Sequence, residues 1–158
     1  MTASPVRPPG AICEPEFTDG CTVCDRCISA CPEGIIISGS GGFPEVDFHR
    51  GECTFCCECV SACPEPVLNS DTQPPWQLRL RVEDRCLAKR RIICQTCADI
   101  CEQQAIRFRP RINTLATPEI KYQDCNGCGA CISACPEDAL VLETIGAVTL
   151  NAGVALHG

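Results

Sequence analysis

The stretch Cys125-Asn-Gly-Cys128-Gly-Ala-Cys131-Ile-Ser-Ala-Cys135-Pro136 follows the spacing C-x2-C-x2-C-x3-C and ends on a proline. The same spacing returns at residues 21–32 and 53–64, again with a proline after the fourth cysteine. Three cysteines placed this closely can hold three corners of one cubane [4Fe–4S] cluster, while the fourth cysteine of such a run binds the neighbouring cluster. Three copies in one short chain therefore predict that metal clusters organise the fold.

The composition also indicates that an ordinary hydrophobic core is not what holds the chain together. Its 158 residues include 18 cysteines but only one Trp and one Tyr, and aromatic residues make up 4 %. A small chain so poor in large apolar side chains needs disulfides or bound metal as a staple. Residues 1–10 contain no apolar run of the kind found in export signals, so we expect a cytoplasmic protein whose reduced thiols bind metal.

The spacing of the thiols favours iron–sulfur clusters over zinc. Structural zinc sites usually combine two C-x2-C pairs that lie a dozen or more residues apart. Runs of the bacterial ferredoxin type instead fit the adjacent corners of a cubane. A thiol-rich metal store is a further alternative, and it fits less well because strand-like segments separate the cysteine runs.

An internal repeat predicts short helices beside the clusters. Residues 27–33 read CISACPE, and nearly the same seven residues return at 59–65 and 131–137. We expect each ligand loop to lead into a short helix that carries the third and fourth cysteines, with the following proline ending the helix. Residues 94–101 form a degenerate fourth copy of the repeat.

Two hairpins complete the predicted architecture. One spans 35–48 around a Gly/Ser turn, the other spans 105–122, and residues 140–142 form a last strand. The predicted fold class is therefore α+β, with two tandem bacterial-type dicluster ferredoxin modules built from short helices and β-hairpins. The predicted divisions are an N-terminal segment 1–12, modules 13–73 and 74–145 joined through the Pro74-Pro75 linker, and a C-terminal tail 146–158.

Exchange of the fourth cysteine between neighbouring runs predicts four cluster sites, which bind four [4Fe–4S] clusters in all. Site A takes Cys21, Cys24, Cys27 and Cys63. Site B takes Cys31, Cys53, Cys56 and Cys59. Site C takes Cys101, Cys125, Cys128 and Cys131. Site D takes Cys86, Cys94, Cys97 and Cys135.

Site D is the irregular one. Seven residues separate Cys86 from Cys94, where the other runs have two. A longer loop can still deliver its thiol at a modest closure cost, so we assign Cys86 as a ligand, with a three-iron or labile cluster as the alternative. Cys13 and Cys57 are left over and receive no ligand role.

The net charge and the lack of catalytic motifs limit the classes of function that the chain can have. The formal net charge is −7, and four thiolate-bound clusters bring it to roughly −15. This disfavours binding to nucleic acid or an anionic membrane and favours partners with a basic docking face. Residues 139–156 are too polar and too short for membrane insertion. His49 and His157 are predicted to be surface residues, and the lack of a nucleophile–base pair, phosphate loop or nucleotide fingerprint predicts that the chain is not an enzyme.

Beyond the cysteines, residues from about 7 to 142 resemble one family. The segments that carry the resemblance are Arg7-Pro8-Pro9, Gly41 to Phe48, Glu52 to Cys56, the Trp76 segment, Cys86-Leu87-Ala88, Ala105 to Pro110 and Cys125 to Cys131. They are similar to the ferredoxin-type accessory protein of the periplasmic nitrate reductase system, the NapF family. The long gap between Cys86 and Cys94 is shared with that family.

The resemblance implies a cytoplasmic protein with several [4Fe–4S] clusters. Its implied partner is the precursor of the molybdenum-containing catalytic subunit of nitrate reductase, to which it delivers electrons or a cluster before export. An electron carrier that donates single electrons to an oxidoreductase uses the same clusters and stays open, as does a redox or oxygen sensor, for which no output domain is evident. We also expect low reduction potentials, and backbone amide donors to cluster sulfur around Gly127 and Gly129.

Overall fold

The computed structural model of the protein describes residues 5–71 and 76–145. Within them the elements follow in the order α1 (Glu16–Gly20), α2 (Arg26–Ala30), β1 (Ile36–Ser38), a turn at Ser40–Gly42, β2 (Pro44–Val46), α3 (Glu58–Ala62), β3 (Leu78–Val82), α4 (Thr96–Asp99), β4 (Ile106–Phe108), β5 (Pro118–Ile120), α5 (Ala130–Ser133) and β6 (Leu140–Thr144). The Pro74-Pro75 linker, the tail 146–158 and His157 lie outside the described residues.

The strands form three two-stranded sheets. β1 pairs antiparallel with β2, and β4 pairs antiparallel with β5, so both predicted hairpins are confirmed. The third sheet pairs β3 with β6 and sets Leu80 opposite Leu142. The last strand is therefore longer than the predicted 140–142, because its pairing with β3 continues to Thr144. The strict alternation of apolar and polar residues over 76–82 is the sequence signal that identifies β3.

The predicted extent of the helices is wrong at their C-terminal ends. Helix α2 carries Cys27, the third cysteine of its run, but ends at Ala30, one residue before the fourth. Cys31 is extended, with a ψ of 112°, because a residue that precedes a proline is sterically kept out of the α-helical region. The other three ligand helices likewise end before the fourth cysteine of their runs.

Two hydrophobic cores lie beside the ligand loops. The first consists of Phe17, Cys27, Ile35, Ile36, Cys59, Val67 and Leu68. The second consists of Val6, Phe48, Leu80, Ile106, Cys131, Ile132, Leu140 and Leu142. Helix α1 was not predicted from the sequence. It buries Phe17, whose exposed fraction is 0 %. Val6 and Phe48 precede the second module in sequence but pack into its core, so the modules share a packed boundary.

The described part of the N-terminal segment packs against the first module. Ala11 forms an antiparallel bridge with Leu68. The Arg7 guanidinium forms ion pairs with Glu14 and Glu45, the second of which lies in β2. The indole N–H of Trp76 donates to the Arg7 carbonyl over 3.0 Å, so this segment also contacts the start of the second module.

Candidate iron–sulfur cluster sites

Site A lies where the first ligand loop faces the end of the second run. Its four predicted ligands line one cavity of about 380 Å³, a volume that includes the part open to solvent. The pKa of the Cys27 thiol is raised to about 11, chiefly by burial and further by the neighbouring Cys63 and Cys21. The exposed Cys24 differs, because a hydrogen bond from the Arg26 amide lowers the pKa of its thiol.

Site B combines the fourth cysteine of the first run with the first three cysteines of the second run. Its four predicted ligands line a cavity of about 350 Å³. The pKa of Cys59 is raised to about 12, first by burial and then by Cys53 and Cys31. The amide of Phe55 donates to Cys53 Sγ over 3.4 Å, so the loop already presents a backbone donor to a ligand sulfur.

Site D also forms one cavity, of about 350 Å³, and Cys86 lines it together with Cys94, Cys97 and Cys135. The pKa of the Cys97 thiol is raised to about 12 by burial, and the next largest causes are the neighbouring Cys86 and Cys94. The structure therefore places Cys86 with the three other predicted ligands. The amide of Ala139 donates to Cys135 Sγ over 3.3 Å.

The extra residues between Cys86 and Cys94 fold into a tight turn. The amide of Arg90 donates to the Cys86 carbonyl over 3.0 Å, and the amide of Ile92 donates to the Leu87 carbonyl over 2.9 Å. These bonds double the chain back on itself. The long gap thus becomes a local protrusion, and the two cysteines at its ends reach the same cavity.

Site C combines the last regular run with one cysteine of the degenerate run. Cys131 is buried, and the pKa of its thiol is raised to about 12 by burial first and then by Cys128 and Cys125. Cys101 also raises it, which places the ligand from the degenerate run near the other three. The amide of Ala105 donates to Cys101 Sγ over 3.4 Å.

The two glycines of this loop differ in what they do. Burial raises the pKa of Cys125, while a hydrogen bond from the Gly127 amide lowers it, so Gly127 faces a ligand sulfur as expected. Gly129 has a φ of +85°, and a Cβ there would lie 2.1 Å from Cδ1 of Phe48. Its missing side chain therefore makes room for the first module, a role that the sequence analysis missed.

The donor sets fit iron–sulfur clusters. A buried thiol with a pKa of about 11 or 12, as at Cys27 and Cys59, stays neutral near pH 7 unless positive charge lies beside it. Bound iron supplies that charge, because a coordinating thiol is deprotonated outright. In the described parts of the chain, no three His, Cys, Asp or Glu side chains are grouped to hold a single metal ion. A cubane spaces its thiolates more widely than one tetrahedral ion does.

The remaining candidate side chains lie at the surface. Cys13 and Cys57 are both exposed. The side chain of His49 is 61 % exposed and its Nδ1 lies 3.2 Å from Asp47 Oδ1, so it is a surface residue as predicted. Within residues 5–71 and 76–145, no helix has the length and apolar character needed to cross a bilayer.

Comparison with protein families identifies both halves of the chain. Residues 20–68 match a family model described as a 4Fe-4S dicluster domain, and residues 90–139 match a second model with the same description. The chain therefore contains two tandem dicluster domains of mixed helix and strand content. Cys86 precedes the second matched region, so the similarity to this model does not include it.

Curated relatives cover most of the chain. The ferredoxin-type protein NapF of Escherichia coli K12 is 42 % identical, with 87 % of this chain and 84 % of the relative aligned. NapF of Haemophilus influenzae is also 42 % identical, with 89 % and 80 % aligned. The methylamine utilization ferredoxin-type protein MauM of Methylophilus methylotrophus is 30 % identical, with 84 % and 67 % aligned. This extent of identity confirms the resemblance predicted from the sequence, and the chain belongs to the family of the ferredoxin-type protein NapF.

Proposed function

We propose that this protein binds four [4Fe–4S] clusters and assists the maturation of the catalytic subunit of periplasmic nitrate reductase before that subunit is exported. The assistance consists of electron or cluster transfer to the precursor. The observation that carries the proposal is the 42 % identity to NapF across 87 % of the chain. It covers the irregular Cys86–Cys94 loop as well as the cysteine runs that many ferredoxins share.

The proposed ligands are the sixteen cysteines of sites A to D, divided between modules 13–73 and 74–145. When bound, each cluster supplies one-electron chemistry. The chain's own residues do the rest. Thiolates from two runs hold each cluster, and backbone amides such as that of Phe55 donate to ligand sulfur, which tunes the potential.

The proposal places the protein in the cytoplasm, without membrane insertion and without nucleic acid as a partner. The excess of acidic residues supports the last point, because phosphate backbones repel such a surface. Catalysis by the chain itself forms no part of the proposal. The partners are the precursor and an electron donor or acceptor protein.

An anaerobic pull-down tests the proposal. The cluster-loaded protein is offered the nitrate reductase catalytic subunit in three forms: with its export signal, as the mature protein, and without its cofactors. We expect binding confined to the precursor or the cofactor-free form. The Cys13→Ser variant, which alters an exposed thiol that lines none of the cavities of sites A, B and D, serves as a control that retains binding. Equal binding to all three forms, or to none while the clusters stay intact, contradicts a maturation role.

The second candidate is an electron carrier that donates single electrons to an oxidoreductase. The observation that favours it is the 30 % identity to a ferredoxin-type protein whose name refers to methylamine utilization, since the architecture is then shared with a differently named system. Isotopically labelled iron separates the two candidates. Label that moves into the precursor supports cluster delivery, whereas repeated reduction of an acceptor with all label retained supports the carrier.

A further inference from the structure

Sites B and C touch directly through the backbone. The amide of Cys53 donates to the carbonyl of Cys128 over 2.8 Å. Cys53 is a proposed ligand of site B in the first module, and Cys128 is a proposed ligand of site C in the second. One peptide hydrogen bond therefore joins two ligand residues that hold different clusters in different modules.

Three aromatic rings pack together at the boundary between the two modules, near the Cys53–Cys128 hydrogen bond. Trp76 packs against Phe48 with 5.5 Å between ring centroids and against Phe55 with 5.6 Å, both edge to face. Phe55 belongs to the ligand loop of site B. On the other side, Trp76 lies 3.5 Å from the place that a Cβ on Gly127 would occupy, in the ligand loop of site C. The rings therefore contact the ligand loops on both sides of the junction.

The close approach depends on a residue without a side chain. At Gly129 a Cβ would come within 2.1 Å of the Phe48 ring, a distance that no carbon pair tolerates. Phe48 is 5 % exposed and packs in the core of the second module. Gly129 thus lets the two modules meet at the spacing that the Cys53–Cys128 hydrogen bond requires.

From this geometry we infer that the four sites form one continuous row in the order A, B, C, D, with the Cys53–Cys128 contact as the electronic junction between modules. Sites A and B are already joined by exchanged ligands, as are sites C and D. The hydrogen bond completes a short path between the ligand sulfurs of Cys53 and Cys128. With clusters bound, Cys53 and Cys128 would hold the two clusters between which a single electron passes, one cluster being oxidised as the other is reduced, with no proton or further reactant involved.

This inference rests on the cluster assignment proposed above and not on the identity of the partner. Its test compares the fully reduced, dithionite-treated wild-type protein with Gly129→Ala. The matched control is Gly34→Ala, because Gly34 has a similarly positive φ of +64° but nothing within 4 Å of the added Cβ. Iron and sulfide contents are measured for each protein, so that loss of clusters, which concerns the proposed function, is distinguished from loss of coupling.

Two readouts follow the junction. Amide hydrogen exchange reports on the Cys53 peptide, and electron paramagnetic resonance reports on magnetic interaction between reduced clusters. We expect Gly129→Ala to lose Cys53 protection and the magnetic interaction between modules while it keeps its iron. Gly34→Ala keeps both. Lost protection with an unchanged magnetic interaction overturns the inference, as does unchanged exchange and coupling in a fully loaded Gly129→Ala protein.

A measurement on the wild-type protein keeps the test decisive if Gly129→Ala does not load clusters. Dipolar resonance spectroscopy of the reduced holoprotein counts the short distances between neighbouring clusters. A continuous row contains three such distances, one of them across the Cys53–Cys128 junction. Two distances, both within modules, in a protein with its full iron content overturn the inference.

Discussion

The two modules share a ligand pattern but differ sharply in charge. Residues 5–71 contain three Lys or Arg and eleven Asp or Glu, whereas residues 76–145 contain ten and nine. The first range therefore has a net charge of −8 and the second a net charge of +1, so the net negative charge of the protein comes from the first module. Three of the basic residues, Lys89, Arg90 and Arg91, sit in the extra turn beside site D.

The difference in charge between the modules affects the reduction potentials of the clusters they bind. Adding an electron to a cluster is less favourable where the surroundings are already negative, so net charge sets the potential together with hydrogen bonding and exposure. The acidic module is expected to hold its clusters at lower potentials than the second module does. Combined with the row of sites, this makes electron flow from the first module to the second the downhill direction.

The largest expected effect comes from breaking the irregular site of the second module. Cys86→Ser removes one of four thiols around the site D cavity, and we expect the iron content to fall by about a quarter, one cluster of four. Iron and sulfide analysis after anaerobic reconstitution measures the change. Cys13→Ser is the control, because this thiol is exposed and lies away from the cavities of sites A, B and D, and its iron content should match the wild type. An unchanged content in Cys86→Ser removes Cys86 from the ligand set.

The next prediction tests whether the two hydrophobic cores stabilise their cluster sites independently. Phe17 is fully buried in the first core and Leu80 is 1 % exposed in the second. Truncating either to Ala leaves a cavity that costs about 2–5 kcal/mol of unfolding free energy. We expect Phe17→Ala to labilise sites A and B first, and Leu80→Ala to labilise sites C and D.

Anaerobic denaturant titration followed by cluster absorbance and paramagnetic resonance measures this order of loss. Ile112→Ala is the control, since Ile112 is 92 % exposed and its truncation changes stability by less than about 0.5 kcal/mol. If both core variants lose all four clusters together, the two cores act as one unit, and the comparison between modules fails for stability.

The cysteine runs allowed more of the candidate sites to be predicted than any other part of the sequence, because the spacing of ligands within a run is a local geometric property. Both hairpins were likewise predictable, since short apolar segments are separated by a Ser/Gly turn in the first hairpin and by the turn that begins at Pro110 in the second. The pairing of β3 with β6 was not, because a strand pattern does not name its partner. The Cys53–Cys128 contact and the fit of Phe48 over Gly129 depend on how two modules meet, and no local spacing encodes that.

A smaller effect concerns the potential of site D. Arg90 lies 3.5 Å from Glu137, a residue that lines the site D cavity. Arg90→Gln removes a positive charge and should lower the potential of site D by roughly 10–40 mV, a small shift because the side chain is solvent-screened. A redox titration followed by paramagnetic resonance measures it.

Arg50→Gln is the matched control, because Arg50 is also an exposed arginine in an ion pair, with Asp47, but belongs to the first module. Its substitution should leave site D unchanged. If both variants shift the reduction potential of site D equally, that potential depends on the net charge of the protein and not on the position of Arg90. Potentials in the first module that equal or exceed those of the second contradict the proposed downhill direction.

The smallest effect concerns backbone strain in corresponding loops. Val23, Phe55 and Gly127 each lie two residues after the first cysteine of their runs, and each has a positive φ. Gly127 adopts this conformation without cost, whereas a β-branched residue such as Val23 is strained there. Val23→Gly should therefore raise the unfolding free energy by about 0.5–1 kcal/mol, since relief of strain exceeds the entropy cost of glycine. Val23→Ala keeps the Cβ and most of the strain, and comparing the two denaturation midpoints isolates the backbone contribution. A Val23→Gly protein no more stable than Val23→Ala means that the first loop carries no strain that the second avoids.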